Sequence, residues 1–368
     1  MLNPELVLKA KKIHDESVVV CMHTDLIGDV AERHSLGEHG VLSRRQADLF
    51  KKGGINCVSD HVIGDTFETQ AFPSKDLLHS LWGGKLFNPS HVKHAMKILS
   101  YMLDDIDESS KDFTVATSVA DIRKAAEEDR VAVVLCFQGL GPLEDEPPLL
   151  SIYHRLGIRV VDMAVARGNA AVGARELKDP NLGLTRLGRE FLDEAYRLKM
   201  VMDVGAIPDR AFFDILEGYD TPVIASANNA QAVFNHPGNL RDEKLKALAQ
   251  KGGVVGPIAN NNLVTDKRKK PTLADYVDHI DHMVQVMGID HVGFGPDIVE
   301  DSWYPLETYR RMFKDIGYWS CLYPDDFENH SQLPNVTAEL LSRGYTESDV
   351  KKILGENILR VYQKVWGC

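Results

Sequence analysis

Eight short runs of apolar, largely β-branched residues recur along the 368-residue chain, and nearly every run ends in a polar or very small residue just before a turn. The runs cover residues 18–22, 55–59, 132–137, 158–164, 200–204, 223–226, 253–258 and 291–295. Helical patterns fill the gaps between them, as parallel neighbouring strands require. Thr185 is a candidate helix cap, and Thr346 with Asp349 three residues on resembles the capping box of a closing helix. This repetition predicts an α/β fold, a (β/α)8 TIM barrel, with one active site where the strands end.

The chain is long enough, and with 44% hydrophobic residues apolar enough, for one barrel with insertions. We therefore expect a single domain over residues 1–368, with insertions at about 62–131 and 298–336. Long insertions after a strand usually build the rim of the active site. The second insertion is rich in aromatic side chains, which fits loop packing, a subunit contact or a lid over a ligand. These aromatic residues are Trp303, Tyr304, Tyr309, Tyr318, Trp319 and Tyr323.

The net charge of −12 argues against a nucleic-acid or anionic-membrane partner, because phosphate binding draws on clustered lysine and arginine. No stretch approaches the roughly 20 uninterrupted apolar residues of a membrane helix, and the first residues lack the apolar core of a signal peptide. We therefore expect a cytoplasmic location. The five cysteines are odd in number and show no CxxC spacing. Cys21, Cys57 and Cys136 lie in predicted strands and are expected to be buried thiols.

The residues at the ends of the runs form the candidate site, because the carboxyl ends of barrel strands meet on one face. In chain order they are His23, Asp25, Asp60, His61, Gln138, Arg167, Gly205, Ala206, Ala227, Asn228, Asn260 and Asp297. The first and last of these residues have the chemistry of a metal site, whereas the middle ones are mostly neutral.

His23 and Asp25 are the strongest local signal. They are two residues apart on an extended segment, so their side chains project to the same side and can share one cation. Asp297 follows a glycine-rich final strand, where a carboxylate can take a proton from water or hold a ligand amine. A helix cap or a turn carboxylate is the alternative for Asp297. A further group of histidines has no ligand-like spacing and is predicted to lie at the surface. These residues are His14, His34, His39, His79, His91, His94, His154, His236 and His330.

These residues, together with several longer stretches, resemble the membrane (renal-type) dipeptidase family of amidohydrolase-like barrels. Besides His23 and Asp25, the matching stretches are residues 156–159, 183–188, 221–226, 279–282, 292–297 and 355–360. The likeness runs from about Val18 to the C-terminus. The resemblance implies a barrel of the metallo-dependent hydrolase type, a binuclear zinc site and the hydrolysis of small dipeptides.

Several positions depart from what the resemblance implies. The family's bridging glutamate falls at Gln138, whose neutral amide is a poorer bridge between two dications. The two histidine ligands to the second metal fall at Ala206 and Ala227, which cannot coordinate a metal. The substrate-orienting histidine falls near Val165, and the arginine that binds the dipeptide carboxylate falls at Gly238. We therefore expect both the second metal subsite and the carboxylate-binding arginine to be missing.

One divalent metal ion is expected, with zinc favoured and manganese or iron as alternatives, and a second tightly bound ion is not expected. Two ligand sets fit the sequence: His23, Asp25 and His61, or His23, Asp25 and Asp297 with Gln138 assisting. The alternative role for His61 is that of a hydrogen-bonded wall residue. Candidate substrate-binding residues are Asp60, Arg167, Asp203, Asn228, Asn229 and Asn260.

The favoured function is a divergent, dipeptidase-type metal-dependent hydrolase of a small C–N bonded substrate, with Asp297 as general base and poor activity on ordinary dipeptides. The loss of several ligands also fits a catalytically inactive binding or partner subunit. A third hypothesis is a lyase or isomerase that uses the same pocket. The expected partner is a small-molecule substrate, and both a homodimer and a complex with an active paralogue are considered.

Overall fold

Eight parallel strands form the sheet of the computed structural model, which describes residues 3–63, 91–164, 169–172, 182–266, 270–298 and 323–367. The strands are β1 Val20–Thr24, β2 Cys57–Ile63, β3 Phe113–Val115, β4 Val131–Gln138, β5 Ile158–Asp162, β6 Val201–Asp203, β7 Ile224–Ala225 and β8 Val254–Val255. Their order is β1-β2-β4-β5-β6-β7-β8, and β3 pairs with the first residues of β4. Each pair is parallel, so helical crossovers must connect the strands.

The sheet curls back on itself through the segment that carries Val292 and Phe294. Val292 bridges Val255 in parallel, and the N–H of Gly293 donates to the carbonyl of Val255 at 2.8 Å. On the other side of the segment, the N–H of Met22 donates to the carbonyl of Phe294 at 2.7 Å. This segment, which corresponds to the eighth predicted run, therefore lies between β8 and β1 and closes the barrel. The predicted fold class is confirmed.

Helices connect the strands, and most of them cover the outside of the sheet. They are α1 Pro4–Asp15, α2 Leu26–Ser35, α3 Val41–Arg45, α4 Ala47–Gly53, α5 His91–Glu108, α6 Val119–Glu127, α7 Leu150–Arg155, α8 Arg186–Arg197, α9 Asp209–Gly218, α10 Asp242–Gln250, α11 Asn261–Val264, α12 Leu273–Met287, α13 Leu333–Ser342, α14 Glu347–Lys351 and α15 Asn357–Trp366. A π-helical turn, Lys352–Glu356, joins α14 to α15. Short 3-10 helices span Gly141–Leu143, Pro147–Leu149, Ile289–His291 and His330–Gln332.

Side chains that alternate along the strands divide the core into an inner and an outer layer. Cys57 of β2 and Cys136 of β4 belong to the inner cluster, which also contains the apolar face of α15. Val58, the next residue on β2, belongs to the outer cluster that packs against the surrounding helices. Because the period is two, His61 and Gln138 continue the inner face of β2 and β4 toward the carboxyl ends. The fold thus places them in the mouth of the barrel.

Local signals in the sequence predicted several helix starts correctly. The Thr185 side chain accepts a hydrogen bond from the N–H of Gly188 at 3.1 Å and begins α8. Thr346 and Asp349 form the capping box of α14. The closing helix, however, is not continuous, because the π-helical turn interrupts it.

The described part of the first predicted insertion contains α5, β3 and α6, so it adds a strand that the hydrophobic runs did not indicate. Of the aromatic residues in the second insertion, Tyr323 is buried, and the other five lie outside the described residues. The three strand cysteines are buried free thiols, as predicted. Among the helices described here, none combines the length and apolar character needed to span a bilayer.

Candidate metal centre

Closure of the barrel brings residues from the two ends of the chain together. His23 is the fourth residue of β1, and Asp25 directly follows that strand and precedes α2. Asp297 comes from the closing segment beside β1 and has a backbone φ of 52°. This left-handed conformation is uncommon for residues other than glycine, although aspartate tolerates it better than most. Such strained positions cluster at functional sites.

His23 is the centre of the cluster. Its Nε2 atom lies 3.8 Å from Asp25 Oδ1 and 3.8 Å from Asp297 Oδ1. Both distances exceed the range of N–H···O hydrogen bonds. The Nε2 atom of Gln138 lies 3.4 Å from the same imidazole nitrogen. Gln138 thus presents an amide nitrogen, which is a hydrogen-bond donor and not a metal ligand, and a side-chain flip would be needed to present its oxygen.

His61 stacks on His23, with ring centroids 3.8 Å apart and an interplanar angle of 18°. The residue is fully buried. Neither of its ring nitrogens makes a hydrogen bond of standard geometry among the described residues, although the nearby backbone of Thr24 and Ser59 raises its pKa against the effect of burial. A buried imidazole that makes no hydrogen bond is costly, so this environment argues for a ligand to His61 and against a hydrogen-bonded wall residue.

Burial dominates the electrostatics of the cluster. It lowers the pKa of His23 to about 3 and, together with the neighbouring His23, lowers the pKa of His61. Burial also raises the pKa of Asp297 to about 6. The pKa of Asp25 is raised by burial and then by the negative charges of Asp297 and Asp60. A divalent cation reverses these preferences, because it stabilises the carboxylates and binds the lone pairs of neutral imidazoles.

The donor set fits one divalent cation. The ligand atoms of His23, Asp25 and His61 all lie within 4.8 Å of one another. Ligands of a tetrahedral zinc ion lie about 2.0–2.2 Å from the metal and therefore about 3.4 Å apart. The 3.8 Å separations around His23 Nε2 are close to that value. Three protein ligands leave a position for water or substrate, as in catalytic zinc sites.

Asp60 directly precedes His61, but its carboxylate bonds the start of α2 and not the His23 cluster. Its Oδ1 accepts from the N–H of Leu26 at 2.6 Å and from the Thr24 hydroxyl at 3.1 Å. Its Oδ2 accepts from the N–H of Ile27 at 3.1 Å. Burial raises the pKa of Asp60 to about 7 although these three donors lower it. The carboxylate therefore binds the amino end of α2 and fixes the turn that carries Asp25.

Asp203 and Ser226 connect His23 to the far side of the barrel. The Nδ1 atom of His23 lies 2.8 Å from Ser226 Oγ. The N–H of Ser226 donates to both oxygens of Asp203, at 3.3 and 3.2 Å, and the N–H of Gly205 donates to Asp203 Oδ1 at 3.0 Å. The sequence indicated Asp203 as a substrate-binding residue and did not indicate Ser226. The signal for Ser226 was its position as the last residue of a predicted strand.

The asparagines at the strand ends bond mainly to backbone. Asn228 donates from Nδ2 to the carbonyl of Gly205 at 3.1 Å and to that of Gly238 at 3.3 Å. Asn229 donates to the carbonyl of Ile258 at 2.9 Å and accepts from its N–H at 3.2 Å. Asn260 accepts from the N–H of Asn262 at 3.0 Å and begins α11. These contacts tie loops together at the mouth of the barrel.

Arg167, Val165 and His79 lie outside the described residues. The prediction of surface positions is wrong for His14, His34, His94 and His330, which are buried. Two of them show why burial is tolerated. His14 bonds the carbonyl of Gly53 and the Thr337 hydroxyl, each at 2.8 Å, and His34 bonds Asp105 at 2.7 Å.

A cavity of about 750 Å³ opens at the other end of the barrel, beside the first residues of β1, β2 and β4. Its lining mixes cations such as Lys51 and Arg123 with acids such as Glu16 and Asp129. Active sites of these barrels lie at the carboxyl ends of the strands. The mouth that holds His23 is therefore the candidate site, and the cavity at the other end is not.

Comparison with known proteins gives a consistent family. The family model of membrane dipeptidases, peptidase family M19, matches residues 8–316 and 318–366. A dipeptidase, tcpJ, from Claviceps purpurea is 29% identical over 252 residues, which are 68% of this chain and 55% of the fungal protein. An uncharacterized protein in the pqqA 5′ region of Klebsiella pneumoniae is 30% identical over 269 residues, 71% of this chain and 92% of that protein. The chain spans about half the length of the Claviceps dipeptidase.

Solved structures agree on the fold. A metallopeptidase from Rhodobacter sphaeroides, bound to a phosphinate mimic of L-Ala-D-Ala, aligns with a TM-score of 0.78 at 20% identity, over 95% of this chain and 100% of that one. The probable dipeptidase PvdM from Pseudomonas aeruginosa aligns with a TM-score of 0.79 at 18% identity, over 99% of this chain and 100% of that one.

Proposed function

The chain belongs to the membrane dipeptidase family, and from that membership we propose that it hydrolyses a C–N bond of a small substrate with one divalent metal ion. Zinc is the favoured metal because two imidazoles and a carboxylate suit it, and manganese or iron are alternatives. A second tightly bound ion is not part of the proposal, because Ala206 and Ala227 offer no ligand atoms.

One observation carries this proposal. Around His23 Nε2, the carboxylates of Asp25 and Asp297 both lie at 3.8 Å, and the stacked His61 makes no hydrogen bond of standard geometry among the described residues. The two part-buried carboxylates repel each other, and the buried imidazoles beside them are neutral, so a cation placed among them would stabilise the whole group. A divalent ion is the simplest group that satisfies all four side chains.

Each residue has a distinct role in the proposed reaction. His23, Asp25 and His61 hold the metal ion, which when bound supplies Lewis acidity that lowers the pKa of water and polarises an amide carbonyl. Asp297 is the general base. Its side chain is 23% exposed, and its raised pKa of about 6 lies close enough to neutrality for it to accept a proton and return it to the leaving amine.

The proposed substrate carries no free carboxylate beside the scissile bond, so ordinary dipeptides are poor substrates. Among the described residues, the side chains that contact His23 include no lysine or arginine. Gly238 offers its backbone carbonyl to Asn228. A substrate carboxylate would meet Asp25 and Asp297, which repel it. Arg167 and Asn260 stay proposed contacts to other parts of the substrate, and we assign Asp60, Asp203, Asn228 and Asn229 to shaping the site.

The first test compares simple dipeptides with their C-terminal amides, using protein reconstituted with zinc, manganese or iron(II). We expect about one ion per chain by elemental analysis. We also expect kcat/KM for cleavage of the peptide bond to be about 10-fold higher for the amides, since repulsion of about 1.4 kcal/mol suffices for that ratio. Incorporation of oxygen from labelled water identifies hydrolysis. Equal or better turnover of the free dipeptides would contradict the proposed substrate class.

Two variants separate the roles of the carboxylates. Asp25→Asn should weaken metal binding by about 100-fold, because one of a few ligands is lost from a site worth on the order of 10 kcal/mol. Asp297→Asn should keep the metal and lower kcat by about 10²- to 10⁴-fold. The matched control is Asp48→Asn, an exposed aspartate that pairs with Lys52 at 3.2 Å. Less than about a tenth of an ion per chain in the wild type, with Asp25→Asn unchanged in every assay, would defeat the proposal.

A further inference from the structure

Ser226 is positioned between an imidazole and a carboxylate. Its Oγ lies 2.8 Å from His23 Nδ1, and its N–H donates to both carboxylate oxygens of Asp203, at 3.3 and 3.2 Å. The N–H of Gly205 also donates to Asp203 Oδ1, at 3.0 Å, so the carboxylate holds the backbone of Ser226 in place. His23, Ser226 and Asp203 are all buried, so water does not compete for these contacts.

The number of available protons fixes the direction of these hydrogen bonds. A serine hydroxyl has one proton, and an ionised carboxylate only accepts. The side-chain amide nitrogen of Gln138, a donor, lies 3.4 Å from His23 Nε2, so Nε2 is the acceptor and Nδ1 carries the proton, which it donates to Ser226 Oγ. A neutral imidazole has one N–H. The lone pair therefore lies on Nε2, which is the atom that faces Asp25 Oδ1 and Asp297 Oδ1.

The geometry points to a positioning relay in which Asp203 holds the backbone of Ser226, and the Ser226 hydroxyl holds His23 as the tautomer whose Nε2 lone pair faces the metal site. This inference rests on the proposed metal-dependent function. Partners of the second ring nitrogen commonly set the orientation and basicity of a metal-binding histidine. Here a hydroxyl stands between the imidazole and the carboxylate. Asp203 and Ser226 act through His23 and have no direct contact with substrate in this assignment.

Two readouts at pH 7.5 test the relay. The first is zinc affinity, measured by competition with a chromophoric chelator. Ser226→Ala should weaken zinc binding by about 10- to 100-fold, the usual effect of losing such a partner. Ser226→Thr keeps the hydroxyl and should stay within about 3-fold of the wild type. Asp203→Asn should also weaken zinc binding, and it provides a second test if Ser226→Ala does not fold.

The second readout is the tautomer of His23 in metal-free protein, from long-range nitrogen–proton correlations of ¹⁵N-histidine-labelled samples. The His23 signals are identified by their loss in His23→Gln. The wild type and Ser226→Thr should show the Nδ1–H form, and Ser226→Ala should show the Nε2–H form or a mixture of both.

Ser59→Ala is the matched control, because Ser59 is also fully buried and bonds the Tyr362 hydroxyl at 2.7 Å and not His23. It should change neither readout, even where it lowers Tm. If the wild type binds no zinc but Ser226→Ala changes the tautomer, the proposed function fails and the relay stands. If the wild type binds zinc and Ser226→Ala changes neither readout, the relay is overturned and the proposed function stands.

Discussion

At the carboxyl ends of β1 and β2, the polar atoms of His23, Asp25 and His61 face one another at distances too long for hydrogen bonds. At the ends of β6 and β7, by contrast, the side chains of Asp203 and Asn228 bond to nearby backbone. In the first region the carboxylate oxygens stand 3.8 Å from an imidazole nitrogen. In the second, Asn228 Nδ2 lies 3.1 Å from the Gly205 carbonyl. Both regions are buried, polar and on the same face of the barrel.

This difference separates strand-end polar residues that can bind a ligand from those that support loops. A side chain whose atoms are already paired with backbone gains little from a ligand, because binding would first break those hydrogen bonds. Carboxylates and neutral imidazoles that face one another at longer distances are stabilised by a cation placed among them. The region around His23 is therefore suited to bind a cation, and the region around Asn228 is suited to hold loops in place.

The largest expected effect is a change in metal content when metal ligands are added around the second region. The triple variant Gln138→Glu, Ala206→His and Ala227→His adds one carboxylate and two imidazoles at half-buried positions of the barrel mouth. We expect the metal content to rise from about one ion to about two ions per chain, because full ligand sets contribute on the order of 10 kcal/mol. Elemental analysis after dialysis measures the content.

The control for that variant is Gln138→Glu with Ala206→Gln and Ala227→Gln, which adds similar volume without imidazoles. It should keep about one ion. A triple histidine variant that folds and still binds one ion would show that backbone geometry, and not only the missing ligands, prevents a second site.

The titration of Asp203, in the second region, should make the free energy of unfolding depend on pH. Burial raises the pKa of Asp203 from 3.8 to about 6, so the folded protein holds a proton that the unfolded chain has released. The resulting stabilisation is present below pH 3.8 and is lost as the pH rises through 6. Between pH 4.5 and 7.5, the free energy of unfolding of the metal-free wild type should fall by about 2 kcal/mol relative to Asp203→Asn.

Urea unfolding of both proteins in chelator, at several pH values, measures this difference. Asn does not titrate, so subtraction removes the other groups that both proteins share. A difference that grows with pH would mean that the N–H donors of Gly205 and Ser226 outweigh burial and that Asp203 is stabilised as the anion.

The smallest expected effect concerns Asn228. Asn228→Ala removes two hydrogen bonds to backbone carbonyls and should lower the free energy of unfolding by about 1 to 2 kcal/mol. Zinc affinity should stay within about 3-fold of the wild type, because Asn228 supports loops and not the donor set. Asn335→Ala, which removes an exposed bond to the Asp326 carbonyl, is the control and should change stability less. A large loss of zinc affinity in Asn228→Ala would place Asn228 in the metal region.

Much of the architecture was predictable because it depends on patterns that are local in the chain. The eight runs correspond to the seven main strands and the closing segment, since burial on both faces of a parallel sheet demands apolar, β-branched residues. Thr185 and Thr346 predicted helix starts because a cap depends on residues only three positions away. β3 was missed, since Phe113–Val115 is too short to give a pattern.

The candidate site was predictable in part. His23, Asp25 and Asp297 stand at strand ends, which topology alone brings to one face. The roles of neighbouring residues were not predictable. Asp60 and His61 are adjacent in sequence, yet one caps α2 and the other stacks on His23. The burial of His14 and His330 also escaped prediction, because it depends on partners distant in the chain.

The sequence by itself determined the barrel, its family and the residue types available at its mouth, because periodicity and residue chemistry are properties of the chain. Only the tertiary structure decided which polar atoms are already satisfied and which still face a shared space, as around His23 and Asp297. The physical reason is that the free energy of a buried polar group depends on its nearest partners. Those partners come from strands far apart in sequence and meet only when the sheet closes.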